Sequence, residues 1–299
     1  MKHFILYSLI VIFFSFEKGV HSYKTIKNNE NIVVTYDNNE GIIDWDNNDK
    51  RILFTSSYTG TKNIYFLDLM KIKFSFATKD FFTANYLNDF TSKEKVYIPI
   101  TSSIDTSYEC PKWSASGNRI LSIGKYSGTS EIFYTYISTL KTISTGIKGI
   151  VTANWKSNSE LYYVKKNEQK NLYQFDLKSK KDSLILDSPQ KIIGISKQKG
   201  ILYLACEGGI IEYKKNTKEK NWYKMNINGK TAFKLDRLNF IVKNINGQAQ
   251  IINLNNGTSE ALFIGDGDGD PALSKSEKFI ALYSKFLNGI VIKKLKKKY

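Results

Sequence analysis

Apolar and polar positions alternate through most of this chain, in short runs separated by polar turns. The clearest example has a run at residues 110–113, a polar turn at 114–118 and a second run at 119–122. A third run follows at 128–134. Alternation with a period of two predicts strands, because successive side chains of a strand point to opposite faces of its sheet. The segment therefore predicts three consecutive antiparallel strands joined by tight turns.

Weaker copies of this unit recur along the chain. Four steps between equivalent apolar anchors measure 42, 40, 40 and 38 residues, and a first step of 68 residues indicates an insertion of about 27 residues in the first copy. The six anchors are Trp45, Trp113, Trp155, Ile195, Leu235 and Leu273. A repeated antiparallel unit of this size is typical of a propeller blade. We therefore predict an all-β fold, a six-bladed β-propeller.

The two ends of the repeat array predict how the ring closes. The sixth unit ends after its third strand, near Lys293, and an unassigned strand pattern lies before the first unit, at residues 31–36. An open ring would leave a long unpaired edge. We expect the N-terminal strand to complete the last blade.

The first residues have the pattern of a secretory signal peptide. Lys2 and His3 precede an apolar run of 13 residues at 4–16, and small or aliphatic residues follow at 20–22. Such a run is short for a bilayer span. We predict a signal peptide at residues 1–22, a single propeller domain at 23–299, and a periplasmic or secreted protein. An uncleaved anchor is the alternative.

The second unit resembles the repeat of the TolB-type propeller family. The shared pattern is Pro-x-Trp-Ser at residues 111–114, a turn with Ser116 and Gly117 at its Asp-Gly positions, and Glu-Ile-Phe at 131–133. Residues 271–278 repeat it without the Trp and the Gly. The resemblance implies a protein-interaction platform of the bacterial envelope, associated with the outer membrane. Only eight residues separate Tyr23 from the first strand, so we expect the propeller without the family's N-terminal α/β domain.

The basic charge of the chain indicates either an acidic partner or only a composition rich in Lys, Asn and Ile. The net charge is +16, of which the predicted leader contributes one unit, leaving +15 for residues 23–299. A basic surface attracts anionic lipids, acidic glycans and acidic proteins. The lysines are spread over many turns, and the one dense cluster lies at 293–298. We expect no nucleic-acid partner, and we keep a polyanion-binding surface adhesin as an alternative.

Histidine and cysteine usage narrows the chemistry. Both histidines, His3 and His21, lie in the predicted leader. A Ser-His-Asp nucleophile system and a His-ligated metal site are therefore excluded from the mature domain. We predict no enzymatic activity; the open alternative is a propeller that binds or cleaves anionic glycans with paired carboxylates. Cys110 and Cys206 fall in blades two and four, so we expect two separate buried thiols.

An Asp-Gly segment is the candidate metal site. Asp266, Asp268 and Asp270 alternate with glycines, and Glu277 follows at position twelve of the spacing that EF-hand loops use for Ca²⁺. Position six is Pro271, where EF-hands need glycine, and the flanks predict strands. The segment is either a non-helical Ca²⁺ site or a polar loop between blades. We predict no other cofactor.

The insertion of the first unit holds the candidate partner-binding residues. Phe81, Phe82, Tyr86 and Phe90 either dock a partner or pack on their own blade. The tryptophan anchors are expected to pack between blades. Taken together, the sequence predicts a monomeric TolB-like propeller that binds an envelope protein at the mouth of its channel, where loops converge.

Overall fold

The structure is a computed structural model that describes residues 31–35, 43–57, 60–71, 74–76, 82–84, 97–262, 269–285 and 289–295. Six four-stranded antiparallel sheets form a six-bladed β-propeller. This arrangement confirms the all-β fold and the number of blades. A single 3-10 turn, Leu69–Lys71, is the only helical element in the described ranges, and no helix there is long and apolar enough to cross a membrane.

The strands follow the repeat pattern, with four in each blade. Strand β1 is Asn31–Thr35. Blade one contains β2 (Asp44–Trp45), β3 (Arg51–Ser56), β4 (Asn63–Asp68) and β7 (Tyr97–Pro99), with a hairpin of β5 (Phe74–Phe76) and β6 (Phe82–Ala84) between β4 and β7. Blade two contains β8 (Ser107–Trp113), β9 (Arg119–Tyr126), β10 (Thr129–Tyr136) and β11 (Thr142–Lys148). Blade three contains β12 (Ile150–Trp155), β13 (Glu160–Lys165), β14 (Asn171–Asp176) and β15 (Asp182–Asp187).

The remaining three blades have the same order. Blade four contains β16 (Ile192–Gln198), β17 (Ile201–Cys206), β18 (Gly209–Lys214) and β19 (Glu219–Lys224). Blade five contains β20 (Ile227–Lys234), β21 (Asn239–Asn244), β22 (Ala249–Asn253) and β23 (Ser259–Ala261). Blade six contains β24 (Ala272–Leu273), β25 (Phe279–Ser284) and β26 (Gly289–Lys294).

The ring closes through the N-terminal strand. Strand β1 pairs antiparallel with β26, from Asn31 opposite Lys293 to Thr35 opposite Gly289. Blade six thus takes its outer strand from the start of the chain, as predicted. Pairing of β1 satisfies the outer edge of β26 and ties the two ends of the array together.

In the part of the chain that the structure describes, the core consists of six apolar clusters, one at each contact between neighbouring blades. Strand β3 shows how alternation builds two of them. Ile52 and Phe54 pack against blade six, whereas Leu53 packs against blade two. Since successive side chains point to opposite faces, each central strand contributes to two interfaces. This explains why the strands are apolar on both faces.

The tryptophan anchors pack between blades, as expected. Trp45 is 1% exposed, and its indole N–H donates to the carbonyl of Ala272 in blade six at 3.0 Å. Trp155 makes the equivalent bond to the carbonyl of Lys112 in blade two, also at 3.0 Å. Trp113 packs against blade one, but its indole N–H has no hydrogen-bond acceptor among the described residues.

Inner strands β8, β12, β16 and β20 each carry a bulge or irregularity in their pairing. In β8 the shift lies between Glu109 and Lys112, and Cys110 takes a positive φ of 52° there. In β16 the shift includes Gly194, where an added Cβ would lie 1.8 Å from the carbonyl oxygen of Lys230. Bulges increase the local twist and re-aim side chains. Here they allow neighbouring inner strands to approach closely near the channel.

The two cysteines are free and buried, in blades two and four, as predicted. Burial raises the pKa of the Cys110 thiol, and it raises the pKa of Cys206 to about 12. A raised pKa keeps both thiols protonated and unreactive at neutral pH.

Candidate functional site at the channel mouth

One end of the central channel opens into a cavity of about 210 Å³. All six blades contribute to its wall, through the last residues of the inner strands and the turns that follow them. Six charged side chains of the described residues line it: Asp44, Lys112, Lys197, Lys199, Lys275 and Glu277. We call this cavity the mouth pocket.

On the side of blades one and two, the charges are paired and buried. The Nζ of Lys112 lies 3.6 Å from Oδ1 of Asp44, and the two residues are 7% and 9% exposed. The other carboxylate oxygen of Asp44 accepts the backbone N–H of Trp113 at 2.8 Å. The carboxylate therefore joins blade one to blade two and compensates the lysine charge.

On the side of blades four and six, two lysines have no carboxylate partner among the described residues. The ammonium of Lys197 donates to the carbonyl oxygen of Lys156 at 2.6 Å. Burial, and then the charges of Lys275 and Lys156, lower the pKa of Lys197 below its usual range. No described carboxylate forms an ion pair with either Lys197 or Lys275. This side of the pocket is positively charged.

Glu277 forms a bridge at the rim of the mouth. One carboxylate oxygen lies 2.7 Å from the Nζ of Lys199, and the other accepts Nε2 of Gln198 at 2.8 Å. The amide of Gln198 also pairs with the backbone of Lys234 in blade five, donating at 2.8 Å and accepting at 3.0 Å. Glu277 thereby links blade six to blade four.

The other neutral polar side chains of the pocket also bond within the protein. Asn154 donates to the carbonyl of Ile195 at 3.0 Å and accepts the N–H of Trp155 at 2.8 Å. Ser196 and Ser274 accept backbone N–H groups, each at 3.1 Å. Asn47 donates to the carbonyl of Ala115. These bonds fix the wall of the pocket from blade to blade.

The four residues of the predicted Ca²⁺ site are only partly described. Asp266 and Asp268 lie outside the described residues. Asp270 is buried before β24, where it accepts the N–H of Lys230 at 3.1 Å and lies 3.7 Å from the Nζ of Lys243. Gly229 makes room for the Asp270 carboxylate, because a Cβ added at Gly229 would lie 2.8 Å from Oδ1 of Asp270.

Asp270 and Glu277 therefore flank β24 and contact different lysines. Asp270 is not part of the mouth pocket, whereas Glu277 lines it. Within the described ranges, no group of three or more His, Cys, Asp or Glu could hold a metal ion. The Ca²⁺ site stays a prediction, since half of its proposed ligands are not described.

The aromatic insertion is also partly described. Phe82 lies in β6 and pairs with Phe76 of β5, while Phe81, Tyr86 and Phe90 lie outside the described residues. Strand β6 lies beside the closing strand β1. The role of these aromatics in partner binding stays a prediction.

Sequence reasoning missed the lysines of the mouth, although the repeat contains a signal for them. Lys197 and Lys275 each lie two residues after an apolar anchor, Ile195 and Leu273. Asp44, Lys112 and Asn154 each lie one residue before a tryptophan anchor. Equivalent positions of a propeller repeat meet around the same axis. Superposing the repeats by their anchors would have placed these residues together.

Comparison with known proteins gives structural neighbours only. No protein-family model matches the sequence, and no curated protein sequence matches it significantly. Similar solved structures include TolB from Acinetobacter baumannii, with a TM-score of 0.55 and 12% identity over 84% of this chain and 65% of that one. The chain thus spans less than two thirds of the TolB chain.

Two further neighbours come from different settings. A chain in a nidogen/laminin complex has a TM-score of 0.54 and 9% identity, over 74% of this chain and 79% of that one. Oligogalacturonate lyase from Vibrio parahaemolyticus has a TM-score of 0.51 and 11% identity, over 89% and 92%. At such identities the likeness shows the fold alone. An enzyme and a protein–protein complex both occur among the neighbours, because one fold serves many functions.

Proposed function

We propose that this protein is a secreted, TolB-like propeller that binds a protein partner in a bacterial cell envelope. The mouth pocket carries the proposal, because all six blades build it and hydrogen bonds hold its wall in place. A concave site whose wall is already formed is the usual form of a ligand-binding site. The partner docks over this mouth.

Three further observations support this function. The leader-like pattern at residues 1–22 suits an exported protein. TolB, a structural neighbour, shares the propeller fold, and another neighbour was solved within a nidogen/laminin complex. In addition, both described carboxylates of the mouth, Asp44 and Glu277, form ion pairs with lysines, as expected of structural groups.

The test is capture of a partner from bacterial envelope extract with immobilised protein, in the presence and absence of Ca²⁺. A double variant at the mouth, Lys197→Glu with Lys275→Glu, reverses the charge of the pocket. The matched control is Lys178→Glu with Lys220→Glu, which changes two exposed lysines outside the mouth. We expect one stoichiometric protein that the wild type and the control retain and that the mouth variant releases.

Two outcomes would contradict the proposal. If the folded protein retains no stoichiometric partner, the scaffold function is wrong. If the mouth variant retains the partner as well as the control does, the mouth is not the docking surface. Dependence of capture on Ca²⁺ would in addition support the predicted site at Asp266, Asp268, Asp270 and Glu277.

A further inference from the structure

The charge balance of the mouth pocket leaves two lysines available to a ligand. Four lysines and two carboxylates line the pocket. Asp44 compensates Lys112, and Glu277 compensates Lys199. Lys197 and Lys275 have no ion-pair partner within the part of the chain that the structure describes. Among the described residues, the pocket therefore has a surplus of about two positive charges while these lysines are protonated.

These two ammonium groups act on the same space. Both lysines line the mouth pocket, and the charge of Lys275 adds to burial in lowering the pKa of Lys197. Lys156, which adds to this effect, is itself paired with Glu160 at 2.5 Å. An anion between Lys197 and Lys275 would convert the repulsion into two attractions.

Each of the neutral polar side chains of the pocket forms at least one hydrogen bond within the protein. Asn47, Asn154, Ser196, Gln198 and Ser274 each have a hydrogen-bond partner within the protein. These bonds hold the side chains in place, so that only part of their hydrogen-bonding capacity is left for the hydroxyl groups of a sugar ring. Charge is thus the main feature by which this pocket can recognise a ligand.

The size and the apolar part of the wall limit what enters. A volume of about 210 Å³ is smaller than the range of about 300–1,000 Å³ typical of small-molecule sites. Trp113 and Trp155 contribute to the wall but are only 4% and 3% exposed, so their rings offer little surface for stacking a sugar. One acidic side chain or a chain terminus fits this space better than an oligosaccharide.

We propose that the mouth pocket binds a carboxylate of an acidic segment in the partner protein, held between the ammonium groups of Lys197 and Lys275. This inference rests on the proposed function and specifies the chemistry of the partner. The net charge of +15 for residues 23–299 also favours approach of an acidic segment. The paired lysines, Lys112 and Lys199, keep their structural partners.

The test is the binding of fluorescein-labelled hexaglutamate to the purified protein, followed by fluorescence anisotropy. Hexaglutamine, unlabelled hexagalacturonate and inorganic phosphate are the comparison ligands. The variants are Lys275→Gln, the double variant Lys197→Gln with Lys275→Gln, and the exposed control pair Lys178→Gln with Lys220→Gln. Lys275 is exposed, so its single variant tests the site even where the double variant does not fold.

We expect hexaglutamate to bind and hexaglutamine not to bind. The affinity for hexaglutamate should fall by about tenfold in the mouth double variant and by about threefold in Lys275→Gln. It should change very little in the control pair. Added salt should weaken the binding by wild type more than that by the double variant, because screening acts on the lost charges.

Several results would overturn the inference. The first is that hexaglutamate does not bind. The second is that the control pair loses as much affinity for hexaglutamate as the mouth double variant. The third is that hexagalacturonate or phosphate binds more tightly than hexaglutamate. Capture of a partner from envelope extract distinguishes a failure of the acidic-segment inference from a failure of the proposed function. A partner that is captured at the mouth but does not compete with hexaglutamate would leave the scaffold intact and remove only the acidic segment.

Discussion

On one side of the channel mouth, Lys112 lies in an almost closed environment, 3.6 Å from Asp44. On the other side, Lys197 and Lys275 share the pocket without any described carboxylate partner. The same residue type is thus used in two ways at one end of one channel. A lysine buried with a partner serves the structure, because an unpaired charge there would be costly. Lysines that remain partly exposed without a partner can stay charged and meet a ligand.

The largest expected effect comes from breaking the paired side. Replacing Asp44 with Ala leaves Lys112 charged and buried, and also removes the acceptor of the Trp113 N–H. We expect a loss of about 3–5 kcal/mol in the free energy of unfolding, measured by urea denaturation. Asp44→Asn keeps an acceptor without the charge and should fall between wild type and Asp44→Ala. A loss below about 1 kcal/mol in Asp44→Ala would show that the pair is not structural.

A second experiment sharpens the comparison through the tryptophans. Trp155 donates its indole N–H to the carbonyl of Lys112, whereas Trp113 has no described acceptor. Both are nearly fully buried, so replacement by Phe removes similar apolar area at each position. We expect Trp155→Phe to be more destabilising than Trp113→Phe by about 1 kcal/mol, the net value of one hydrogen bond. Equal losses in urea denaturation would mean that the indole bond contributes nothing.

Lys197, on the unpaired side, should affect how the stability of the protein depends on pH. The pKa of Lys197 is lowered mainly by burial. As pH rises through that lowered pKa, the native state releases a proton that the unfolded state still holds, so stability rises. The gain ends near the unfolded pKa of about 10.4. Below the lowered pKa the whole cost of the buried charge is present.

Lys197→Met removes this charge but keeps the apolar stem. The stability of wild type minus that of Lys197→Met should therefore increase as pH rises toward about 10.4. The buried tyrosines titrate in both proteins, so their effects cancel in the difference. Lys178→Met, at an exposed lysine, is the control and should show no such increase. A difference that is flat with pH would mean that Lys197 titrates normally.

The fold could be predicted from the sequence because its determinants are local and repeated. Short apolar runs bounded by polar turns located the strands, and each face of a central strand packs against a different blade. The anchors from Trp45 to Leu273 gave the number of blades. The closing pair of β1 with β26 followed from one missing strand and one unassigned strand. The bulges in the inner strands could not be predicted from the sequence. A single extra residue in a strand changes the pattern of apolar and polar positions in the same way as a short turn does.

The mouth could not be predicted in the same way because each blade contributes only a few residues to it. Asp44 and Lys112 are 68 positions apart, and the atoms that hold Gln198 come from Lys234 and Glu277. Linear spacing also suggested one motif for Asp270 and Glu277. In the structure β24 lies between them, and each contacts its own lysine. The Ca²⁺ site stays a prediction, because Asp266 and Asp268 lie outside the described residues.

The smallest expected effect on stability comes from the ion pair between Glu277 and Lys199 at the rim of the pocket. Glu277 compensates Lys199, whose side chain is 73% exposed, so the pair contributes less than about 1 kcal/mol to stability. Glu277→Gln should therefore unfold close to the wild-type urea concentration. The same change frees the charge of Lys199 at the pocket rim and adds to the positive surplus. Hexaglutamate should bind this variant about threefold more tightly, an effect that added salt removes.

Lys199→Gln is the matched variant, because it removes the other half of the same pair. It leaves Glu277 without its lysine, so the pocket becomes more negative and hexaglutamate should bind more weakly. Opposite changes in affinity from the two halves of one ion pair would show that net charge at the mouth controls binding. Changes of the same sign would instead mean that the bridge from blade six to blade four shapes the pocket. Binding at Lys197 and Lys275 would then depend more on the shape of the pocket than on its net charge.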